Sequence, residues 1–209
     1  MKNIIFLTFL VFGFASLNAQ QVILKNSPFH FIDGTFKMSI EKEISENKSI
    51  NLSGNIHLVE DGWNYDNSKG IAAEIQIRKY LINFNNLTYS LNGIYVSPFA
   101  RASYFRMSHT GYNWFYEYDS LGNFIDWRQD YTTDASSKSV QAGILMGSQY
   151  VLNDVIAFDF YLGGGIQYSK EAGNRRQSNF GGNGLRFYTG VIPKIGFNIG
   201  VKLYHFLNV

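Results

Sequence analysis

Residues 71–82, IAAEIQIRKYLI, set Ile71, Ala73, Ile75 and Ile77 on one side of the chain and Glu74, Gln76 and Arg78 on the other. A period of two is the signature of an extended strand and is incompatible with an amphipathic helix. The pattern recurs. Segment 35–45 opposes Phe36, Met38, Ile40 and Ile44 to Lys37, Ser39, Glu41 and Glu43, and segment 50–59 opposes Ile50, Leu52, Ile56 and Leu58 to Asn51, Ser53, Asn55 and His57. Segment 155–168 and the final segment near 194–203 repeat it, with Asp159, Lys194, Asn198 and Lys202 on the polar side. Segments 94–106 and 139–151 alternate less cleanly, and 22–31 least of all. The expectation is eight strands of about ten residues, the length a tilted strand needs to cross a bilayer.

Alternation does not say which face meets which solvent. A soluble lipocalin-like barrel, apolar inside, has the same period as an eight-stranded antiparallel up-and-down transmembrane β-barrel, apolar outside. The polar faces decide for the second. They carry Ser, Asn, Gln and Gly with isolated charges, which is thin cover for a water-facing surface. Lys37, Arg78, Arg101, Lys194 and Lys202 stand against Glu41, Glu43, Glu74 and Asp159. Such a set can neutralise itself inside a narrow lumen, whereas each charge facing lipid would cost a few kcal/mol. Composition agrees: 16% of residues are charged and 17% aromatic, against about 25% charged in ordinary soluble domains. No stretch after residue 20 approaches 18 uninterrupted apolar residues, so a spanning helix is not expected and a closed barrel is the remaining way to span.

The first 19 residues have a basic start at Lys2, an apolar run from Ile4 to Leu17 and a small residue at Ala19. They read as a cleaved secretory signal, and 20–209 as one barrel domain destined for a bacterial outer membrane. Of 18 basic and 16 acidic residues, only Lys2 lies in the signal, which leaves a mature charge of about +1 and no field suited to nucleic acid. There is no cysteine, hence no disulfide and no thiolate metal site.

Connection lengths alternate as well. Segments 45–48, 83–92 and 152–154 read as short turns, with Asn153-Asp154 a good turn pair. Segments 60–70, 107–137 and 169–190 read as long loops. Both termini then fall on the short-turn side, consistent with delivery from the periplasm through the barrel-insertion machinery. Loop 107–137 carries Tyr112, Trp114, Tyr116, Tyr118, Trp127 and Tyr131 and a net charge of −4. These aromatics either pack on one another, on strands that run past the membrane, or offer a platform to an extracellular sugar or protein. Loop 169–190 has a net charge of +3, and its Arg175 and Arg176 suit lipopolysaccharide phosphates. Pro98, which deletes a ladder hydrogen bond, predicts a bulge.

GIAAEIQIRKYL (70–81) followed by GIYVSPFARASYF (93–105) resembles paired strands of small outer-membrane β-barrels common in Bacteroidota. In that family a glycine-led strand ending in Arg-x-Tyr precedes a strand with a central Pro-aromatic-x-Arg, here Arg78, Tyr80, Pro98, Phe99 and Arg101. The segments LKNSPFHFIDGTFKMSIEKEI (24–44) and IPKIGFNIGVKL (192–203) are similar too. The resemblance implies an eight-stranded barrel from a family largely of unknown function, and a monomer is expected. Such barrels usually stop at an aromatic residue read by the insertion machinery. This chain continues from Tyr204 to Val209, leaving Leu203 or Phe206 for that role.

Little in the sequence points to chemistry. An eight-stranded lumen is just wide enough for side chains to fill it. Lys37, Glu41, Glu43, His57, Glu74, Arg78, Arg101, Asp159, Lys194 and Lys202 are therefore expected to form a packed polar network, with a narrow ion path as the functional alternative. The four histidines lack ligand spacing and no Gly-x-Ser-x-Gly elbow occurs, so neither a metal, a cofactor nor a catalytic residue is assigned. An outer-membrane lipid hydrolase or acyltransferase stays as the alternative from another class. Its one candidate set is His109 with Ser103, Ser108 and Glu117.

Overall fold

Alternating segments become strands because each can bury one face only by pairing with neighbours that do the same. A computed structural model describes residues 21–62, 65–84, 91–118, 121, 124–173 and 188–203. The strands are β1 Val22–Asn26, β2 Thr35–Ser45, β3 Lys48–Gly62, β4 Tyr65–Asn83, β5 Gly93–Tyr118, β6 Phe124–Leu152, β7 Ile156–Gly173 and β8 Gly190–Lys202. Each pairs antiparallel with the next and β8 returns to β1, giving an eight-stranded up-and-down closed barrel. At the β6–β7 turn Asn153 and Asp154 both have positive φ (50° and 60°), a conformation these side chains tolerate better than most.

The apolar side chains point outward. Ile71, Ile144, Leu162 and Ile195 are 62%, 64%, 54% and 70% exposed, while Glu41, Arg78 and Asp159 are fully buried inside. The outer face of β4 runs Lys69, Ile71, Ala73, Ile75, Ile77, Lys79. Ten residue steps at about 3.3 Å each, tilted by about 40°, separate its two lysines by about 25 Å along the barrel axis. That is the height of the apolar band on a membrane barrel.

Space inside is shared between aromatics and glycines. Tyr95, Phe105 and Tyr161 point inward directly across from Gly147, Gly70 and Gly196 on the neighbouring strands. A Cβ at any of these glycines would fall within 2.1–2.4 Å of a ring atom, so each ring lies flat over bare backbone.

Four expectations change. Segment 22–31 is a five-residue strand followed by a 3-10 turn, Pro28–Asp33, closed by Gly34 at φ 69°. Proline at the start of the turn cannot donate to a ladder, so the chain leaves the sheet there. In the half of the wall away from the short turns this 3-10 segment stands between β2 and β8. Its backbone is satisfied locally, with Gly34 N–H donating to Phe31 O at 3.1 Å and Ser27 N–H to Lys37 O at 3.2 Å.

Second, 107–137 is not a loop. β5 and β6 continue past their other neighbours for ten further pairs, from His109↔Thr133 to Tyr118↔Phe124, a two-stranded ribbon about 33 Å long. Third, 60–70 is likewise mostly strand, since Gly62 pairs with Tyr65. Of the expected loop 169–190, β7 covers the start and β8 begins at Gly190; 174–187, with Arg175 and Arg176, lies outside the described residues, as do 1–20 and 204–209. Fourth, Pro98 causes no bulge. β4 and β5 hold one register from Gln76↔Phe99 to Lys79↔Val96, and the shift lies between Tyr80 and Ile82.

Candidate functional site

Inward-facing residues come from every strand, because period two delivers one side chain in each pair to the lumen. In the half nearer the short turns they meet in one network. Lys25 (β1) pairs with Glu41 (β2) and, at 3.0 Å, with Asp159 (β7). Arg78 (β4) reaches Glu41 and Asp159 at 3.0 Å each. Ser49 (β3) and Tyr80 donate to Glu41, Tyr95 (β5) and Asn198 (β8) donate to Asp159, and Gln149 (β6) accepts from Lys25 and Arg78. All eight strands contribute. Two cations face two carboxylates, all four side chains fully buried. The Arg78 guanidinium also sits 4.3 Å from the centroid of the Tyr95 ring. Ile23, Leu91, Phe99, Leu145, Val151 and Ala157 pack in the same region. The cross-section is thus filled and charge-balanced among the described residues.

Above this layer the interactions become pairwise. Lys194 pairs with Glu74, which also accepts from Gln76 at 2.7 Å, and its ammonium lies 4.0 Å from the Phe99 centroid. Lys37 donates to Tyr161 Oη at 2.8 Å. His57 contacts Thr35 Oγ1 at 2.9 Å and Ser68 Oγ at 3.1 Å. Higher still, a cavity of about 330 Å³ opens, with Arg101, Gln141, Gln167, His57 and Lys194 among its walls.

Of the ten residues expected in one lumenal network, Glu41, Arg78 and Asp159 form its centre, and Glu74, Lys194, Lys37 and His57 form smaller sets above it. Arg101 lines the cavity. Two belong elsewhere. Glu43 is half-buried at the short-turn rim, where the β2–β3 register shifts between Glu43 and Ser45, and Lys202 pairs with Asp154 of the β6–β7 turn. Both sit near strand ends, Glu43 half-buried at the rim and Lys202 buried against the adjacent turn. Lys25, central to the network, was missed because its segment is apolar on both faces, Ile23 inward and Leu24 outward. Tyr80, Tyr95 and Tyr161 were missed because aromatics suggest lipid, although their hydroxyls are the signal that an inward ring can be satisfied.

On the ribbon, Tyr112, Trp114, Tyr116 and Tyr118 follow one another at every second residue of β5 and so share one face, opposite Asp130, Arg128 and Asp126 of β6. All four aromatics are exposed, and so is Tyr131 on the other face. Tyr112 and Trp114 meet edge to face at 6.0 Å, and Arg128 lies 5.4 Å from the Tyr112 centroid. The side chain of Trp127 lies outside the described residues.

The set expected for nucleophilic catalysis lies partly outside the described residues. Ser103 shares a hydrogen bond with Ser139 at 2.6 Å, and the His109 side chain lies outside the described residues. Two serine–histidine contacts do occur, Ser27–His30 at 2.8 Å and Ser68–His57 at 3.1 Å. Both serines are fully buried, and the Ser27 hydroxyl donates to Phe197 O at 2.8 Å, so its proton is already committed. Among the described residues no group of His, Asp and Glu is arranged to hold a metal ion.

No family model and no curated protein matches this sequence. Two solved structures are similar in outline. The N-terminal β-barrel domain of Pseudomonas aeruginosa OprF is 14% identical over 88% of this chain and 96% of that one, with a TM-score of 0.33. A major outer membrane protein from Thermus thermophilus is 13% identical over 88% of this chain and all of the other, with a TM-score of 0.43.

Proposed function

We propose that this chain is a small outer-membrane β-barrel, exported by a cleaved signal, with a structural or surface-interaction role rather than a catalytic or conducting one. The observation that carries the reading is the polarity of the wall: large aliphatic side chains outside, and buried, paired charges inside. An apolar belt of this extent around a monomer would aggregate in water, while in lipid it is the favoured surface, and the pairing of β8 with β1 closes the ladder in the half nearer the short turns. The eight-strand network supports a sealed lumen, since an ion path would require parting four buried charges. The aromatic ribbon, standing beyond the belt, is the surface offered to an extracellular partner, with Tyr112, Trp114, Tyr116 and Tyr118 as its contact face.

The test is fractionation of outer membranes followed by carbonate washing and electrophoresis of boiled and unboiled samples. The expected outcome is a protein retained in the membrane that migrates faster before boiling. Release into the soluble fraction without a mobility shift overturns the membrane reading. In planar bilayers the purified barrel is expected to give no discrete conductance steps, and regular steps would reject the sealed lumen.

A further inference from the structure

The cavity in the outer half of the lumen is lined by a guanidinium that no carboxylate pairs with among the described residues. Arg101 lines it and is only partly buried, so solvent reaches the guanidinium. Among the described residues that group makes no hydrogen bond and no ion pair. Its cross-strand neighbour Glu74 is taken by Lys194 and Gln76. Asp33 is the one carboxylate among the cavity's lining residues, and it is already engaged. The connection 174–187, which joins β7 to β8 at this end, contains three arginines and no acidic residue. Lys194, though paired with Glu74, lies in the same wall, and Gln141 and Ser139 add neutral hydrogen-bonding groups. A guanidinium left free beside an ammonium, in a recess large enough for a small molecule, is a fork awaiting two oxygens.

We infer that this vestibule binds a compound bearing an oxyanion, a phosphate or a carboxylate, with Arg101 as the anchor and Lys194 as the second cation. The anion has two routes in. One is from the medium, through the end of the barrel that carries the long connections. The other is from the surrounding lipid, between β2 and β8. There the cavity wall is made of His30, Asp33 and Thr35 on one side and Ile192, Pro193 and Lys194 on the other. His30 and Asp33 belong to the 3-10 turn, which here takes the place of a hydrogen-bonded strand between β2 and β8, and its Phe29, Phe31 and Ile32 face outward. This inference rests on the lumenal geometry and stands or falls separately from the role of the ribbon.

The experiment is titration calorimetry of the purified barrel in an uncharged maltoside detergent, with inorganic phosphate and with hexyl phosphate as probes. Arg101→Gln is expected to weaken binding about tenfold or more, the scale of a charge-assisted bidentate contact. Arg101→Lys, which keeps the charge and loses the fork, should weaken it about threefold or more. Arg106→Gln is the control, because Arg106 is exposed on the outer surface beside Asp134 and removes the same charge; it should bind as the parent does. Hexyl phosphate binding about tenfold tighter than phosphate assigns the site to an amphiphile headgroup, and equal affinities assign it to a soluble anion. No heat with either probe at millimolar concentration overturns the inference. So does a loss as large in Arg106→Gln as in Arg101→Gln. If Arg101→Gln yields no heat-modifiable band, Arg101→Lys decides, and unchanged binding there rejects the anchor.

Discussion

Arg78 and Arg101 lie on neighbouring strands of one lumen and behave as different residues. Arg78 has two carboxylates, a glutamine on each side and a tyrosine ring against it. Arg101, nearer the long connections, has a cavity. The halves they represent differ in how the interior is satisfied. Below, Lys25, Glu41, Arg78 and Asp159 are buried and matched within a network that all eight strands share. Above, contacts come in pairs and water reaches the wall. The lower half is filled by its own side chains, while the upper half leaves a cavity beside Arg101. The same alternation of inward side chains thus serves two ends, and only the packing around each side chain says which.

The sharpest way to break this contrast is Arg78→Ala. Removal of the guanidinium leaves Glu41 and Asp159 buried with only Lys25 between them, and an uncompensated buried charge costs about 3–5 kcal/mol. The folded, fast-migrating band should then be lost at much lower urea than in the parent, in unfolding titrations followed by electrophoresis without boiling. A midpoint shift worth less than about 1 kcal/mol would mean that water enters the lower half and that the lumen is not sealed.

Next in size is Gly147→Val. The added side chain collides with the Tyr95 ring, whose atoms lie 2.4 Å from the position of a Cβ there, and Tyr95 holds Asp159 at 2.7 Å. Overpacking of this kind costs about 1–3 kcal/mol, read from the same urea titration. Gly54→Val is the matched control, because a Cβ at Gly54 meets nothing within 4 Å, and it should cost clearly less.

These two sites also show what the sequence could tell. Glu41, Arg78 and Asp159 were legible because each interrupts a row of aliphatic residues at period two. Tyr95 opposite Gly147 was not, since a ring and a glycine acquire meaning only once the register brings them face to face. The ribbon was hidden for the converse reason. Water bathes both of its faces, so no polarity contrast marks 107–137 as strand, and its Tyr and Trp residues alternate without a core to point into. Lys25 lay in a strand of five residues, too short for a period to stand out before Pro28 ends it. Arg101 could be placed on the inward face by alternation, but its lack of a partner depends on where Lys194 reaches, on a strand far along the chain.

A smaller effect is expected from Thr35→Val, which removes one of the two hydroxyls that contact His57. A buried polar atom deprived of its partner usually costs about 1–3 kcal/mol. His57 borders the cavity, so water can replace the hydroxyl, and the expected loss is about 1 kcal/mol or less. A loss as large as that of Gly147→Val would show that the cavity is dry and that the two halves are alike.

The smallest effect belongs to Arg101→Gln, measured as stability without ligand. No hydrogen bond or ion pair is lost, and the repulsion from Lys194 is relieved, so the urea midpoint should stay within about 0.5 kcal/mol of the parent and tend upward. The comparison with Arg78→Ala is then between two arginines of one lumen, separated by several kcal/mol in what they do for the fold. A destabilisation near that of Arg78→Ala would place Arg101 within the structural network, and the upper half would be a continuation of the lower. A neutral result leaves the chain carrying, inside its barrel, a positive charge that folding does not need. Arg78, Lys25 and Lys194 each answer to a carboxylate and Lys37 to the Tyr161 hydroxyl; the charge of Arg101 is accounted for by what the cavity takes in.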